Sequence, residues 1–332
     1  MNDSALKTKK LYAIAAFAMA VIILAPFIGI ETISPMDIAA NSYEGDIFWR
    51  LRVPRALIAF LAGAGLAISG MAFQAMFRNP LATPFTLGVS AGASFGAAVY
   101  VTLGFAFSFA GISGVSVFAF LGAVMAITIV YGLTKVRKGF STATMLLAGV
   151  AVSFFFTSVI LFMQYISDFT RSFRVMRWLM GGLEVVGYDS VLNLFPFVMI
   201  GVGVVFLFTR ELNLLTTGEE IAISRGVEAR KVKAAMFFAS SLMVGGVVAV
   251  CGPIGFVGMM TPHICRLMIG PDHRFLAPAS ALFGGVFLTL CDTLARTAIA
   301  PAEIPVGVIT ALLGGPFFLW LLLVGSSEKG LV

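Results

Sequence analysis

Few side chains in this 332-residue sequence could do chemistry, and their spacing argues against catalysis. Two histidines, His263 and His273, and three cysteines, Cys251, Cys265 and Cys291, make up its stock of soft ligands and thiols. No two cysteines form a C-x-x-C pair and neither histidine joins them at a zinc spacing, so buried inert thiols are the simpler reading. The sequence holds no H-E-x-x-H, no Walker A loop and no Gly-x-Ser-x-Gly, which removes the usual signatures of metallohydrolysis, nucleotide hydrolysis and acyl transfer. Pro262-His263 could mark a ligand, but a lone histidine near a helix end more often packs or caps. No catalytic residue and no metal ligand is assigned.

The remaining chemistry is electrostatic. Arg52-Val53-Pro54-Arg55 precedes an apolar run, and Arg296 follows Asp292 by four residues near the end of another. Three such cations on one face could dock an acidic protein, attract an anionic solute, or snorkel to the interface. A helical i, i+4 pair would partly neutralise Asp292. Arg171, Arg174 and Arg177 share one face if 172–180 is helical and, with Trp178, read as an interfacial helix at a mouth, with substrate contact as the alternative. Gly218-Glu219-Glu220-Ile221-Ala222-Ile223-Ser224-Arg225-Gly226 is a short amphipathic segment ended by glycine. It is either a helix that docks into a soluble partner or a solvated connector.

The elements that must carry these residues are set by composition. With 59% hydrophobic and only 11% charged residues, the chain cannot clothe a water-facing surface and its apolar residues must meet lipid. The net charge of +6 and pI near 9.4 would suggest nucleic acid in a soluble protein. Here the basic residues lie between apolar runs, where they orient the chain in a membrane. The run 11–30 after Lys7, Lys9 and Lys10 resembles a signal peptide. Its length covers a hydrocarbon core of ~30 Å at ~1.5 Å per residue, so it reads as a retained first helix.

Uncharged runs predict an all-α polytopic protein with about ten membrane helices in one domain. They lie near 11–30, 56–77, 84–104, 115–134, 143–166, 190–209, 234–250, 254–269, 275–299 and 306–325, with a loop over 210–233. Of the 22 Lys and Arg, seven (Arg50, Arg52, Arg55, Arg171, Arg174, Arg177 and Arg296) fall on one side and the other fifteen on the opposite side. This predicts that both termini are cytoplasmic. Gly63, Gly70, Gly88, Gly92 and Gly96 stand at spacings that let helices pack closely in lipid.

In this order and spacing the sequence resembles the FecCD-type permeases of ABC importers for ferric siderophores, haem and vitamin B12. The resemblance rests on Arg52-Val53-Pro54-Arg55, Gly63-Ala64-Gly65-Leu66-Ala67-Ile68-Ser69-Gly70, Gln74 to Ala82 with Asn79-Pro80-Leu81, and Leu87-Gly88-Val89. Met145 to Val150 and Trp178-Leu179-Met180-Gly181-Gly182 extend it. Gly255-Phe256-Val257-Gly258, Pro262 to Leu267, Asp272-His273-Arg274 and Glu303 to Thr310 complete it. It covers nearly the whole length.

The resemblance implies the type II ABC importer permease fold, working as a homodimer on two ATPase subunits and fed by an extracytoplasmic substrate-binding protein. It implies a multi-pass place in the cytoplasmic (inner) membrane of a prokaryote. ATP and Mg would then bind on the ATPase, with no cofactor on this chain, which is not itself an enzyme. Gly218, Glu219, Glu220, Ala222, Arg225 and Gly226 match the coupling helix, and Arg52, Arg55 and Arg296 the arginines that receive the binding protein. Ser141, Thr142 and Ala143 match a cytoplasmic gate, and Asn79 and Leu81 a second constriction. At position 143 some relatives carry a hydroxyl where this chain has alanine. Arg171, Arg174 and Arg177 fall in the loop matching the outer mouth.

The cargo this implies is a metal chelate, a ferric siderophore or haem first, with cobalamin as the alternative. An ion-coupled secondary transporter would need intramembrane carboxylates placed to couple ions, and only Asp292 and Glu303 are candidates. A membrane enzyme would need clustered His, Asp or Glu, which two distant histidines do not supply.

Overall fold

A computed structural model describes residues 3–29, 33–34, 38, 43–109, 111–136, 142–184 and 186–325. The architecture is helical throughout, apart from one two-stranded hairpin, β1 (Ser108–Phe109) with β2 (Ile112–Ser113), turning at Gly111. The helices are α1 (Asp3–Leu24), α2 (Tyr43–Ile47), α3 (Val53–Phe77), α4 (Val89–Thr102), α5 (Gly114–Val136), α6 (Thr142–Ile166) and α7 (Phe169–Leu179). They continue with α8 (Asp189–Leu207), α9 (Thr209–Thr217), α10 (Glu219–Ser224), α11 (Ala229–Cys251), α12 (Val257–Ile269), α13 (His273–Thr297) and α14 (Val306–Gly325). Among the described residues, seven segments are long and apolar enough to cross a bilayer, and α4 and α14 are shorter apolar helices.

The centre of the bundle is α3. Pro54 fits its first turn, where a missing N–H costs nothing. From Ala62 to Phe77 every residue is buried, so α3 is enclosed by protein on all sides, with α13, α11, α12 and α8 packed against it. Close approach explains its glycines. A methyl group on Gly70 would lie 1.7 Å from the Gly258 carbonyl oxygen, and one on Gly63 would lie 2.2 Å from that of Gly284. In lipid, where hydrophobic burial gives little drive for helices to associate, such backbone contact is what holds them.

The helix expected over 84–104 begins only at Val89. Phe85–Leu87 form a single 3-10 turn preceded by Pro84, and Gly88 adopts φ +86°, a left-handed conformation that breaks the path. Gly88 is therefore a turn glycine and not a helix-packing one. In contrast, Gly92 and Gly96 do abut α5, at the carbonyls of Gly122 and Phe118. The first helix starts before the expected 11 and stops at Leu24, where Pro26 redirects the chain into a 3-10 turn. The three cysteines are buried free thiols.

Candidate coupling and docking sites

The two ends of the bundle carry different machinery. At one end, the start of α1 meets the end of α12, with Lys10 Nζ donating to the Met268 carbonyl at 2.7 Å. The same end holds α9 and α10. In α9, Leu212 and Leu215 are fully buried as the helix packs on α3 and α13. Gly218 (φ +139°) separates α9 from α10, and Gly226 (φ +84°) ends the segment. Ala222 is buried, and its carbonyl accepts from the Val227 N–H at 3.0 Å. Glu219 accepts from Lys233 Nζ at 2.5 Å. Lys233 is only 6% exposed, so this pair ties α10 to the body of α11. Ile221, Ile223, Glu220 and Arg225 face outward. The segment is thus a helix anchored on one side with an open, mixed apolar and charged face.

Asn213 of α9 makes the second anchor. Its Nδ2 donates to Asp272 Oδ1 at 2.7 Å, and its Oδ1 accepts from the His273 backbone N–H at 2.9 Å and faces ring Nδ1 at 2.7 Å. Asp272 also caps α13, accepting from the Arg274 N–H at 3.1 Å. Partial burial works against ionising Asp272, but the hydrogen bonds from Asn213 and Arg274, with the charges of Arg274 and Lys7, hold its carboxyl below the usual carboxylate value.

On the same side as α9, Arg78 closes α3 in the left-handed region at φ +50°. Asn79 Oδ1 then accepts from the Leu81 N–H at 2.9 Å, a turn that leaves Leu81 exposed. Ala143, in the first turn of α6, is also exposed. Ser141 lies outside the described residues, and of Thr142 only the backbone is described.

At the other end, Asp292 is 1% exposed and lies between two arginines. Arg55 Nε donates to its Oδ1 at 3.0 Å, and Arg296 Nε to its Oδ2 at 3.1 Å. Arg55 Nη1 reaches Glu303 at 2.8 Å. Arg296, 6% exposed, also donates to the Ile28 carbonyl at 3.1 Å. Arg52 donates to the carbonyls of Pro26 and Phe27 at 3.3 and 3.4 Å. The three arginines matched to binding-protein docking sit differently in the bundle. Arg296 is an internal residue that braces Asp292, while Arg52 and Arg55 are half-buried.

Also at this end, α7 is capped by Asp168, whose Oδ1 accepts from the Arg171 N–H at 2.9 Å. Arg171 also pairs with the Asp168 carboxylate at 3.1 Å and donates to the Thr102 carbonyl at 2.6 Å, while Arg177 pairs with Glu184. All three arginines are exposed on one flank of the helix, with Val175 buried beneath. The helical placement expected for Arg171, Arg174 and Arg177 is what the structure has. The partner Thr102 and the Asn213 clamp escaped the sequence reading because nothing local pairs residues 69 and 59 positions apart, and Glu184 escaped it because it lies seven residues on, beyond the end of α7.

The described residues thus form a polytopic helical bundle with an anchored helix at one end and an arginine cluster at the other. The FecCD transport family profile matches residues 17–324, and the chain belongs to that family. Similar proteins include the hemin transport system permease protein HmuU of Yersinia pestis, 38% identical over 87% of this chain and 88% of that one. The cobalamin import system permease protein BtuC of Halobacterium salinarum is 40% identical over 90% and 79%. The Fe(3+)-citrate import system permease protein YfmD of Bacillus subtilis is 35% identical over 90% and 88%. A structure described as an inward-facing metal-chelate type ABC transporter superposes with a TM-score of 0.84 at 29% identity, covering 95% of this chain and 99% of that one. The chain is accordingly a permease subunit of the ABC importer class, a polytopic membrane protein.

Proposed function

We propose that two copies of this chain form the passage of an ATP-driven importer that carries a ferric chelate, siderophore or haem, across the cytoplasmic membrane of a prokaryote. Both termini are cytoplasmic in this reading, which follows from the unequal split of Lys and Arg between the two ends. ATP and Mg bind on two separate ATPase subunits, and an extracytoplasmic binding protein presents the cargo at the arginine-bearing end. Arg52 and Arg55 meet its acidic residues there, with Arg296 holding Asp292 behind them. Leu81, Asn79 and the 141–143 segment form the inner constrictions, and Arg171, Arg174 and Arg177 line the outer mouth.

The observation that carries this reading is the α10 segment. It is fixed to the bundle through Ala222 and the Glu219–Lys233 pair, yet it presents Ile221 and Ile223 outward, the form a docking helix takes. Asp292 and Glu303 are both held by arginines, which speaks against a carboxylate free to couple ions. Cobalamin is the second cargo, favoured by the relative from Halobacterium salinarum. Co-purification tests the docking directly. The wild-type chain should retain its cognate ATPase through detergent purification, and Ile221→Glu/Ile223→Glu should release it without changing the thermal stability of the permease alone. Retention by the double variant would overturn the docking assignment.

A further inference from the structure

The coupling segment and the outer arginine cluster lie at opposite ends of the protein, and one helix reaches from the cluster to α9, the helix that leads into the coupling segment. The first residue of α13, His273, and the Asp272 cap before it are held by Asn213 of α9. Nineteen residues on, Asp292 of the same helix holds Arg55, and Arg296 reaches back to the end of α1. At ~1.5 Å per residue this separation is ~29 Å, about the thickness of the hydrocarbon core. We propose that Asn213 is the positioning residue through which the coupling segment moves α13, making that helix the strut that links ATPase motion to the outer docking cluster. The proposal rests on the importer reading given above.

The chemistry of the clamp fixes its hydrogen-bond directions. Ionised Asp272 can only accept, so the Asn213 amide nitrogen must face it and the amide oxygen must face His273. An imidazole nitrogen opposite that oxygen must be a donor, so Nδ1 carries the ring proton. The other ring nitrogen, Nε2, is buried with no hydrogen-bond partner among the described residues, and His273 is 2% exposed, so the ring's polar contact is with Asn213. Three hydrogen bonds thus converge on one side chain at the joint between α9 and α13. Elsewhere α9 meets α13 and α3 through apolar surface around Leu212 and Leu215, which can slide. The Asn213 bonds are directional and cannot. Rigid elements joined by such contacts are the physical means by which distant sites share a two-state change.

The test exploits the swap the clamp allows. Asn213→Asp puts a second carboxylate against Asp272, and the repulsion should open the joint. Adding Asp272→Asn restores it with roles reversed. The new amide nitrogen then donates to position 213 and that carboxylate accepts from both His273 donors, while the bond from the Arg274 N–H is given up, because Asp272 Oδ1 takes both bonds in wild type. The assay uses the reconstituted importer, with its ATPase subunits and binding protein, and measures chelate uptake per ATP hydrolysed. The single variant should lower that ratio about tenfold while hydrolysis stays within about twofold of wild type, and the double variant should recover most of the loss. Unchanged uptake in the single variant would overturn the proposal. So would a parallel loss of uptake and hydrolysis, or failure of the double variant to recover at wild-type thermal stability. If wild type itself shows no ATP-dependent uptake, the importer reading fails instead.

Discussion

Replacing Asp292 by alanine should do more damage than any other single change at the outer cluster. The carboxylate accepts from Arg55 Nε at 3.0 Å and from Arg296 Nε at 3.1 Å. The two arginines are left differently. Arg55 keeps Glu303 at 2.8 Å. Arg296, 6% exposed, keeps, among the described residues, only neutral acceptors, the Ile28 carbonyl at 3.1 Å, the Thr293 hydroxyl at 3.4 Å and the Ala25 carbonyl at 3.5 Å. Removing one partner of a buried pair costs about 3–5 kcal/mol because the other charge stays buried. The surviving carbonyls place Asp292→Ala toward the low end, about 3 kcal/mol. Arg296→Leu in the same chain removes the stranded cation, so the double variant should be more stable than Asp292→Ala alone. Unfolding in mixed micelles titrated with SDS, followed by tryptophan fluorescence, reads both. A loss below about 1 kcal/mol for Asp292→Ala, or a double variant no more stable than the single one, would refute the buried-pair reasoning.

Two further outcomes follow from packing and ionisation. Gly70→Ala places a methyl group 1.7 Å from a backbone oxygen of α12 and should destabilise by about 3 kcal/mol or more. Gly132→Ala in α5, with open space around it, should be neutral or slightly stabilising; equal effects in the same SDS titration would contradict the close-approach argument. The Asp272 carboxyl is held below its ordinary value in the folded protein. Its stabilising contribution is therefore full above the unfolded carboxylate pKa, about 3.9, and is lost as pH falls through the lower folded value. Melting temperatures of wild type and Asp272→Asn should accordingly differ most near neutrality and converge in acid, and a gap that widens in acid would reverse the sign.

Much of the fold was legible because lipid makes composition decisive. Long uncharged runs such as 115–134 and 143–166 became α5 and α6 with ends shifted by a residue or so. Turn chemistry was the harder part. The 84–104 run looked continuous by hydropathy, and only the Pro84 and Gly88 backbone requirements split it. At the candidate sites, the i, i+4 pair of Asp292 and Arg296 could be read from spacing, since helix geometry alone brings the two together. The carbonyl that Arg296 reaches comes from the turn after α1, and the second arginine on Asp292 comes from α3, each more than two hundred residues away in the chain. A separation of 59 residues hid the Asn213 clamp in the same way. Arginine type and position were visible, but whether a guanidinium faces water or a buried carboxylate depends on packing that a single sequence does not display.

The most direct test of the central claim is radiolabelled uptake into proteoliposomes holding this chain with its cognate ATPase and binding protein. Ferric siderophores, haem and cobalamin are offered in turn, with and without internal ATP. The account predicts uptake of a ferric chelate that requires ATP and stops when Ile221 and Ile223 are replaced by glutamate. ATP-dependent uptake of cobalamin alone would keep the importer and overturn the cargo. Uptake that proceeds without ATP or without the ATPase would contradict the account.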